Sequence, residues 1–229
     1  MVRFEEGRPG QLEEEMRRAP VAFVPWGSLE WHGVHLPAGV DALKAWALCI
    51  EIAKRTGGVV LPPIYLGYHT MKPYRGFKRT IEVDRETVKA VAGNLFEQLA
   101  DEGFKVVVVL MGHYGRAHME ALREKAEEFG RGHPDVKLLL FPDYEPVQER
   151  LGVAGDHAGA YETSLMMRFF PELVDLSKLP ERPLSVEQDG IGGEDPRAAS
   201  PEKGEEYARV IVEWAVERIS ALLEGTGAT

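Results

Sequence analysis

The sequence lacks the features that mark secreted, membrane-spanning or disulfide-bonded proteins. Its 229 residues include a single cysteine, Cys49, so no disulfide can form within the chain. No apolar run approaches the roughly 20 residues that a membrane-spanning helix needs. Residues 1–20 are too charged for a secretory leader, whose centre must be apolar. These absences predict a protein of the reducing cytoplasm.

The chain also lacks an excess of positive charge. Lysine and arginine together number 27 against 37 aspartates and glutamates, which gives a formal net charge of −10. Nucleic acids and anionic membranes attract basic surfaces, so we expect neither as a main partner. No linker or internal repeat divides a chain that is long enough for one sizeable core. We therefore expect a single domain over residues 1–229.

Short apolar runs alternate with amphipathic helical patterns along the chain. Runs such as 21–25 and 106–111 are apolar throughout, which is typical of strands buried on both faces of a parallel sheet. The alternation predicts an α/β protein, a three-layer α/β/α fold with a mostly parallel central sheet. Strands are predicted at 21–25, 59–61, 105–111 and 136–141, helices at 41–55, 84–102, 117–129, 161–170 and 200–223, and irregular segments at 65–80 and 171–199.

Carboxylates and histidines follow two of the predicted strands. Glu30, His32 and Asp41 come after the first strand in a loop rich in glycine and proline, and His113 comes directly after the strand at 105–111. Ligand sites of such folds lie beyond the carboxyl ends of the strands, so we expect these loops to meet. Imidazole and carboxylate groups bind zinc, manganese and iron. The residues predict a site for one or two divalent ions, with Asp41 placed to bridge them.

A second polar stretch, residues 156–163, combines small residues with Asp156, His157 and Glu162. The small residues would let the backbone approach a ligand closely. Glu162 is a candidate metal ligand or, alternatively, a first-turn partner of a helix dipole, and Asp156 is a site residue or a helix cap. The residues alone leave these alternatives open. His118, by contrast, is expected to be an exposed helix residue without a function.

Three motifs resemble the creatininase family of creatinine amidohydrolase-like metal hydrolases. They are residues 27–41, Gly112-His113 and residues 156–164, and residues 193–204 also resemble a family segment. The resemblance implies a centre of zinc, manganese or iron and hydrolysis of a non-peptide C–N bond, in a cyclic amide or formamide, through a metal-activated water. It also implies a homohexamer.

By position, the resemblance also implies roles for individual residues. His157 and Glu162 would be catalytic, with His157 as the group that moves a proton to the leaving nitrogen or polarises the substrate carbonyl. The implied metal ligands are Glu30, His32, Asp41, His113 and Glu162. The candidate substrate-binding residues are Trp31, Tyr114, Asp156, Arg75 and Arg79.

The chain departs from the family pattern where a substrate would bind. Gly115 replaces a glutamate of the creatinine hydrolases, and Glu162 is the natural substitute. A tryptophan that helps enclose creatinine is absent from residues 151–153, so we expect another substrate. Arg75 and Arg79 belong to a cationic loop that suits an anionic amide or formamide, or that pairs with acidic residues of a neighbouring subunit.

The alternative function is that of a catalytically silent metal-binding or scaffold protein with the same fold. If Glu162 completed a closed set of protein ligands, the site would be structural, because structural sites are fully ligated by protein. A metal position left open for an attacking water would favour the enzyme. The irregular segment 171–199 has little evident core of its own, so we expect it to dock on a neighbouring subunit.

Overall fold

A five-stranded parallel sheet forms the centre of the protein. A computed structural model describes residues 1–225, apart from the side chain of Tyr74, so residues 226–229 of the predicted domain lie outside the described part. The strand order is 1-3-2-4-5, and each neighbouring pair is parallel, which confirms the predicted sheet. The strands are β1 (Val2–Arg3), β2 (Val21–Trp26), β3 (Val59–Val60), β4 (Val106–Met111) and β5 (Lys137–Pro142).

Helices follow most of the strands and cover both faces of the sheet. In the described part they are α1 (Pro9–Arg18), α2 (Val40–Thr56), α3 (Met71–Arg75), α4 (Arg85–Asp101), α5 (Arg116–Gly132), α6 (Tyr144–Leu151), α7 (Ala160–Phe169), α8 (Val186–Asp189) and α9 (Pro201–Glu224). Within residues 1–225, none of these helices has the length and apolar character needed to cross a membrane.

Alternate residues of the central strands enter two different cores. Phe23 and Val108 pack with residues of α2, α7 and α9, whereas Val24 and Val109 pack with residues of α4 and α5 on the other face. The two cores arise because successive side chains of a strand point to opposite faces. Burial on both faces explains why the strand sequences are apolar throughout. The arrangement confirms the predicted three-layer α/β/α fold.

Some elements differ from the sequence predictions. Helices α1 and α6 were not predicted, and α3 lies inside a segment predicted to be irregular. Residues 171–199 were expected to have little core of their own, and most of them are exposed or half-buried. Leu179 and Ile191 of this segment are buried against Ala158 in a small apolar cluster, so the segment packs on its own chain.

Two glycines bring the start of α2 against the ends of β2 and β4. A Cβ atom on Gly112 would lie 2.0 Å from the backbone oxygen of Asp41, and one on Gly27 would lie 2.2 Å from the backbone nitrogen of Ala42. Only a residue without a side chain permits these approaches. As a result, Asp41 enters the space between the loops that follow the two central strands.

Candidate metal centre

Two groups of buried ligand atoms share Asp41 beyond the carboxyl ends of β2 and β4. Its Oδ1 lies 2.9 Å from Nε2 of His32, which is 3.5 Å from Oε2 of Glu162. Its Oδ2 lies 3.1 Å from Nδ1 of His113, which is 2.7 Å from Oε1 of Glu30. In each group the ligand atoms lie within 4.8 Å of one another, close enough to surround one ion. The structure thus brings together the five residues predicted as metal ligands.

Backbone carbonyls fix the tautomers of the two histidines. Nδ1 of His32 is 3.1 Å from the carbonyl oxygen of Glu30, and Nε2 of His113 is 2.9 Å from that of Tyr68. Because a carbonyl oxygen only accepts, these two nitrogens carry the hydrogen. The opposite nitrogens face carboxylate oxygens, an arrangement that needs a cation between them, either a proton or a metal ion.

Without a metal ion, the carboxylates favour a second proton on each ring. Burial lowers the pKa of His32, but the charges of Asp41 and Glu162 outweigh it and raise this pKa to about 9. Burial is likewise outweighed at His113, whose pKa Glu30 and Asp41 hold well above its ordinary value. Metal binding at neutral pH would therefore displace protons from both rings.

A buried nitrogen without a hydrogen bond shows that these residues fit a metal ion. Nε2 of His32 makes no hydrogen bond in the described structure, although Oδ1 of Asp41 lies 2.9 Å away. The two atoms form an ion pair when the ring carries a second proton. Two imidazoles and three carboxylates are also the ligand set that zinc, manganese and iron accept.

Glu162 reaches this centre from the first turn of α7. Its Oε2 accepts a hydrogen bond of 2.8 Å from the backbone N–H of Ala158, and its Oε1 lies 3.1 Å from Nζ of Lys44. Its carboxylate therefore faces the centre, so the helix dipole alone does not account for its position.

Lys44 and Asp143 are buried site residues that the sequence analysis missed. Nζ of Lys44 lies 2.9 Å from Oδ2 of Asp143, and both side chains are fully buried. A signal existed, because Lys44 stands one helical turn after Asp41 and therefore on the same face of its helix. That face is otherwise apolar, with Ala45 and Leu48 in the core.

His157 presents one ring nitrogen as a proton acceptor. Its Nε2 is 2.7 Å from the carbonyl oxygen of Trp31, so Nε2 carries the hydrogen and Nδ1 does not. Burial and the charge of His32 lower the pKa of His157, which keeps the ring neutral near pH 7. The two histidine rings are 4.4 Å apart.

Asp156 caps α7 and also borders the site. Its carboxylate accepts hydrogen bonds from the backbone N–H groups of Tyr161, at 2.8 Å, and Glu162, at 3.3 Å. Burial and the charge of Glu162 raise the pKa of Asp156 to about 7. The two alternatives for this residue, cap and site residue, are therefore compatible.

A cavity of about 170 Å³ lies against the centre. Among the predicted substrate-binding residues, Tyr114 and Asp156 line it, whereas Trp31, Arg75 and Arg79 do not. Nη2 of Arg75 lies 3.5 Å from Glu187 of the same chain. The remaining lining residues are Glu30, Asp41, His69, Thr70, Met71, His113, Gly115, His157 and Glu162.

His118 is completely buried, so the expectation of an exposed residue was wrong. Its ring lies 5.0 Å from that of His113, edge to face, and its Nδ1 accepts a long hydrogen bond of 3.4 Å from the backbone N–H of Tyr68. Burial and the charge of His113 hold the pKa of His118 well below its ordinary value. A neutral ring thus packs behind a predicted metal ligand.

Fold and site together define an α/β protein with a buried carboxylate–histidine centre at the carboxyl edge of its sheet. The family model described as creatininase, creatinine amidohydrolase, matches residues 6–219. The chain therefore belongs to the creatininase family of hydrolases, as its motifs predicted.

Relatives within the family carry different enzyme names. A creatinine amidohydrolase of Pseudomonas putida is 30% identical over 183 residues, 71% of this chain and 69% of that protein. A 3-dehydro-scyllo-inosose hydrolase of Thermotoga maritima is 29% identical over 185 residues, 76% of this chain and 58% of that protein. A mycofactocin precursor peptide peptidase of Mycobacterium ulcerans is 26% identical over 232 residues, 90% and 87% of the two chains. Family membership therefore leaves the substrate open.

Solved creatininase structures resemble the whole chain. One described as the manganese form of creatininase matches with a TM-score of 0.79 and 25% identity, and the match covers 99% of both chains. The likeness extends over the sheet and the helices on both of its faces.

Proposed function

We propose that the protein is a metal-dependent hydrolase that cleaves a C–N bond of a small amide. The observation that carries this proposal is the pair of ligand groups that share Asp41 beside the cavity. A purely structural site would be enclosed by its protein ligands, whereas Glu30, His113 and Glu162 also line a space of about 170 Å³. Bound ions would supply Lewis acidity toward a water molecule and the scissile carbonyl.

Residues of the chain would move the proton during this reaction. Nδ1 of His157 carries no hydrogen and belongs to a neutral ring, so it can accept a proton and pass it to the leaving nitrogen. Glu162 is better suited to metal binding than to proton transfer, because the N–H of Ala158 and the charge of Lys44 both favour its ionised form. The proposal thus divides the two predicted catalytic residues into a proton carrier and a ligand.

The metal content of purified variants tests this function. We expect up to two equivalents of zinc, manganese or iron in the wild type, loss of one in His32→Ala, and loss of both in Asp41→Ala, since only Asp41 serves both groups. Asp84→Ala is a matched control, because Asp84 is an exposed helix cap that accepts from the N–H of Thr87. Undiminished metal in both site variants would refute the proposal.

For the substrate we propose a cyclic amide or formamide other than creatinine, with an anionic group. The charges of Arg75 and Arg79 support the anionic group, although neither residue lines the cavity. The test is a panel of lactams, formamides and a short peptide amide, each in neutral and carboxylate-bearing form, with zinc, manganese or iron added.

Arg75→Ala and Arg79→Ala should lower kcat/KM for the carboxylate-bearing members only, so the neutral members serve as the internal control. Robust creatinine turnover, or equal rates for both forms in the arginine variants, would contradict the substrate proposal. Hydrolysis of the peptide amide alone would assign the peptide bond instead.

A further inference from the structure

Lys44 joins four elements of the fold beneath the proposed metal centre. It lies on α2, one turn after Asp41, and is the only lysine or arginine that is buried among residues 1–225. Its Nζ lies 2.6 Å from the carbonyl oxygen of Gly112 at the end of β4 and 2.9 Å from Oδ2 of Asp143 after β5. It also lies 3.1 Å from Oε1 of Glu162 on α7.

Asp143 already balances the charge of this lysine. The hydroxyls of Tyr114 and Tyr161 both donate to Oδ1 of Asp143, the latter at 3.1 Å, while Lys44 bonds Oδ2. The buried pair is therefore neutral, and its aspartate is held by three donors. The contact between Lys44 and Glu162 goes beyond what burial of the lysine requires.

Glu162 has a hydrogen bond at one carboxylate oxygen and an ion pair at the other. Oε1 faces Lys44, and Oε2 accepts from the N–H of Ala158 while lying 3.5 Å from Nε2 of His32. Lys44 acts on Oε1 through its charge, because this oxygen has no hydrogen-bond partner in the described structure. An attraction at Oε1 and a hydrogen bond at Oε2 together favour one rotation of the carboxylate, which otherwise turns broadly about its last torsion. Without the charge of Lys44, Oε2 would be freer to turn away from the centre.

We propose that Lys44 is a positioning residue for one of the two metal positions, the one formed by His32, Asp41 and Glu162. The inference rests on the proposed function in one respect, that the centre binds metal. The other position uses Glu30 and His113, and no hydrogen bond or ion pair described within residues 1–225 joins either of them to Lys44. A change at Lys44 should therefore weaken metal binding at the first position and leave metal binding at the other position unchanged.

The test replaces both residues of the neutral pair, Lys44 and Asp143, in one variant. Lys44→Met alone would leave Asp143 buried without its counter-ion, and such single removals strongly destabilise a fold. The double variant Lys44→Met/Asp143→Asn keeps the net charge of the cluster, and the amide oxygen of the asparagine can still accept from both tyrosines. Lys54→Met is the matched control, because Lys54 is an exposed lysine of the same helix, paired with Glu51.

The readouts are zinc and manganese stoichiometry and affinity, from competition with a chromophoric chelator, together with thermal unfolding of the metal-free proteins. Wild type and Lys54→Met should bind two equivalents. The double variant should keep one position at wild-type affinity and bind the second about 10–100-fold more weakly, the usual effect of losing a group that orients a ligand. Adding Glu162→Gln to the double variant should weaken that position little further.

Each remaining outcome decides against a specific claim. Two wild-type affinities in the folded double variant would overturn the inference. An unfolded double variant, or equal weakening of both positions, would make Lys44 a purely structural residue and overturn it as well. Absence of metal binding in the wild type would refute the proposed function instead, so the two failures are distinguishable.

Discussion

The charge on His32 depends on whether a metal ion occupies the site. In the metal-free protein, Asp41 and Glu162 overcome burial and raise its pKa from 6.5 to about 9. Such a group stabilises the fold fully below its unfolded pKa, and this contribution is lost as the pH rises through the folded pKa. The free energy of unfolding of the metal-free protein should fall as the pH rises from 6.5 to 9, and His32 alone should account for about 3 kcal/mol of the fall.

Urea unfolding in the presence of a chelator measures this dependence. His32→Gln should remove only the part of the fall that His32 causes, because glutamine does not titrate, and should leave the part caused by His113, whose pKa is also raised. The metal-loaded wild type is the control and should show no such fall, since the metal replaces the proton. A metal-free wild type that is equally stable across this range would show that His32 is not held protonated.

Single residues of the site differ in how far the sequence could predict them. Glu30 and His113 were predictable, because polar residues that follow an apolar strand point to a site at the sheet edge. Lys44 shares a helix face with Asp41, but its burial was not predictable, since lysines are almost never fully buried unless they are paired. Its burial depends on Asp143, which arrives from another strand and which no local pattern connects to Lys44.

At the scale of elements, the contact between α2 and the end of β4 controls the position of Asp41. Gly112→Ala would place a Cβ 2.0 Å from the backbone oxygen of Asp41, so the helix must shift. We expect a loss of about 1–3 kcal/mol in the free energy of unfolding, typical of overpacking, together with weaker metal binding.

Gly130→Ala is the matched control for this change. A Cβ on Gly130, inside α5, would meet nothing within 4 Å, so alanine should stabilise the helix by about 0.5–1 kcal/mol. Denaturant unfolding and metal stoichiometry of both variants provide the measurements. Wild-type stability and metal binding in Gly112→Ala would contradict the close contact described here.

The elements themselves were predictable where hydrophobic burial alone determines them. Strands β2 and β4 are buried at every position, so each of them appears in the sequence as an uninterrupted run of apolar residues. Helix α6 has only Pro146 and Val147 buried, too few to show a helical period. The cluster around Leu179 and Ile191 depends on Ala158 from a distant part of the chain, so segment 171–199 showed no core in its own sequence.

For the whole molecule we propose a homohexamer, which the family resemblance implies. The sheet ends at β5, an edge strand whose Leu138, Leu139 and Leu140 are only partly buried within the chain. Exposed apolar edges favour association with another chain. Light scattering should give six times the chain mass of 25.5 kDa, and a monomer at micromolar concentration would rule the assembly out.

Main-chain carbonyls, not side chains, accept the ring hydrogens of His32, His113 and His157. Since every residue type carries a backbone carbonyl, the orientation of these imidazoles depends on the path of the loops and not on the identity of the accepting residues. The side chains of Trp31 and Tyr68 could therefore change without loss of the hydrogen bonds that orient His157 and His113.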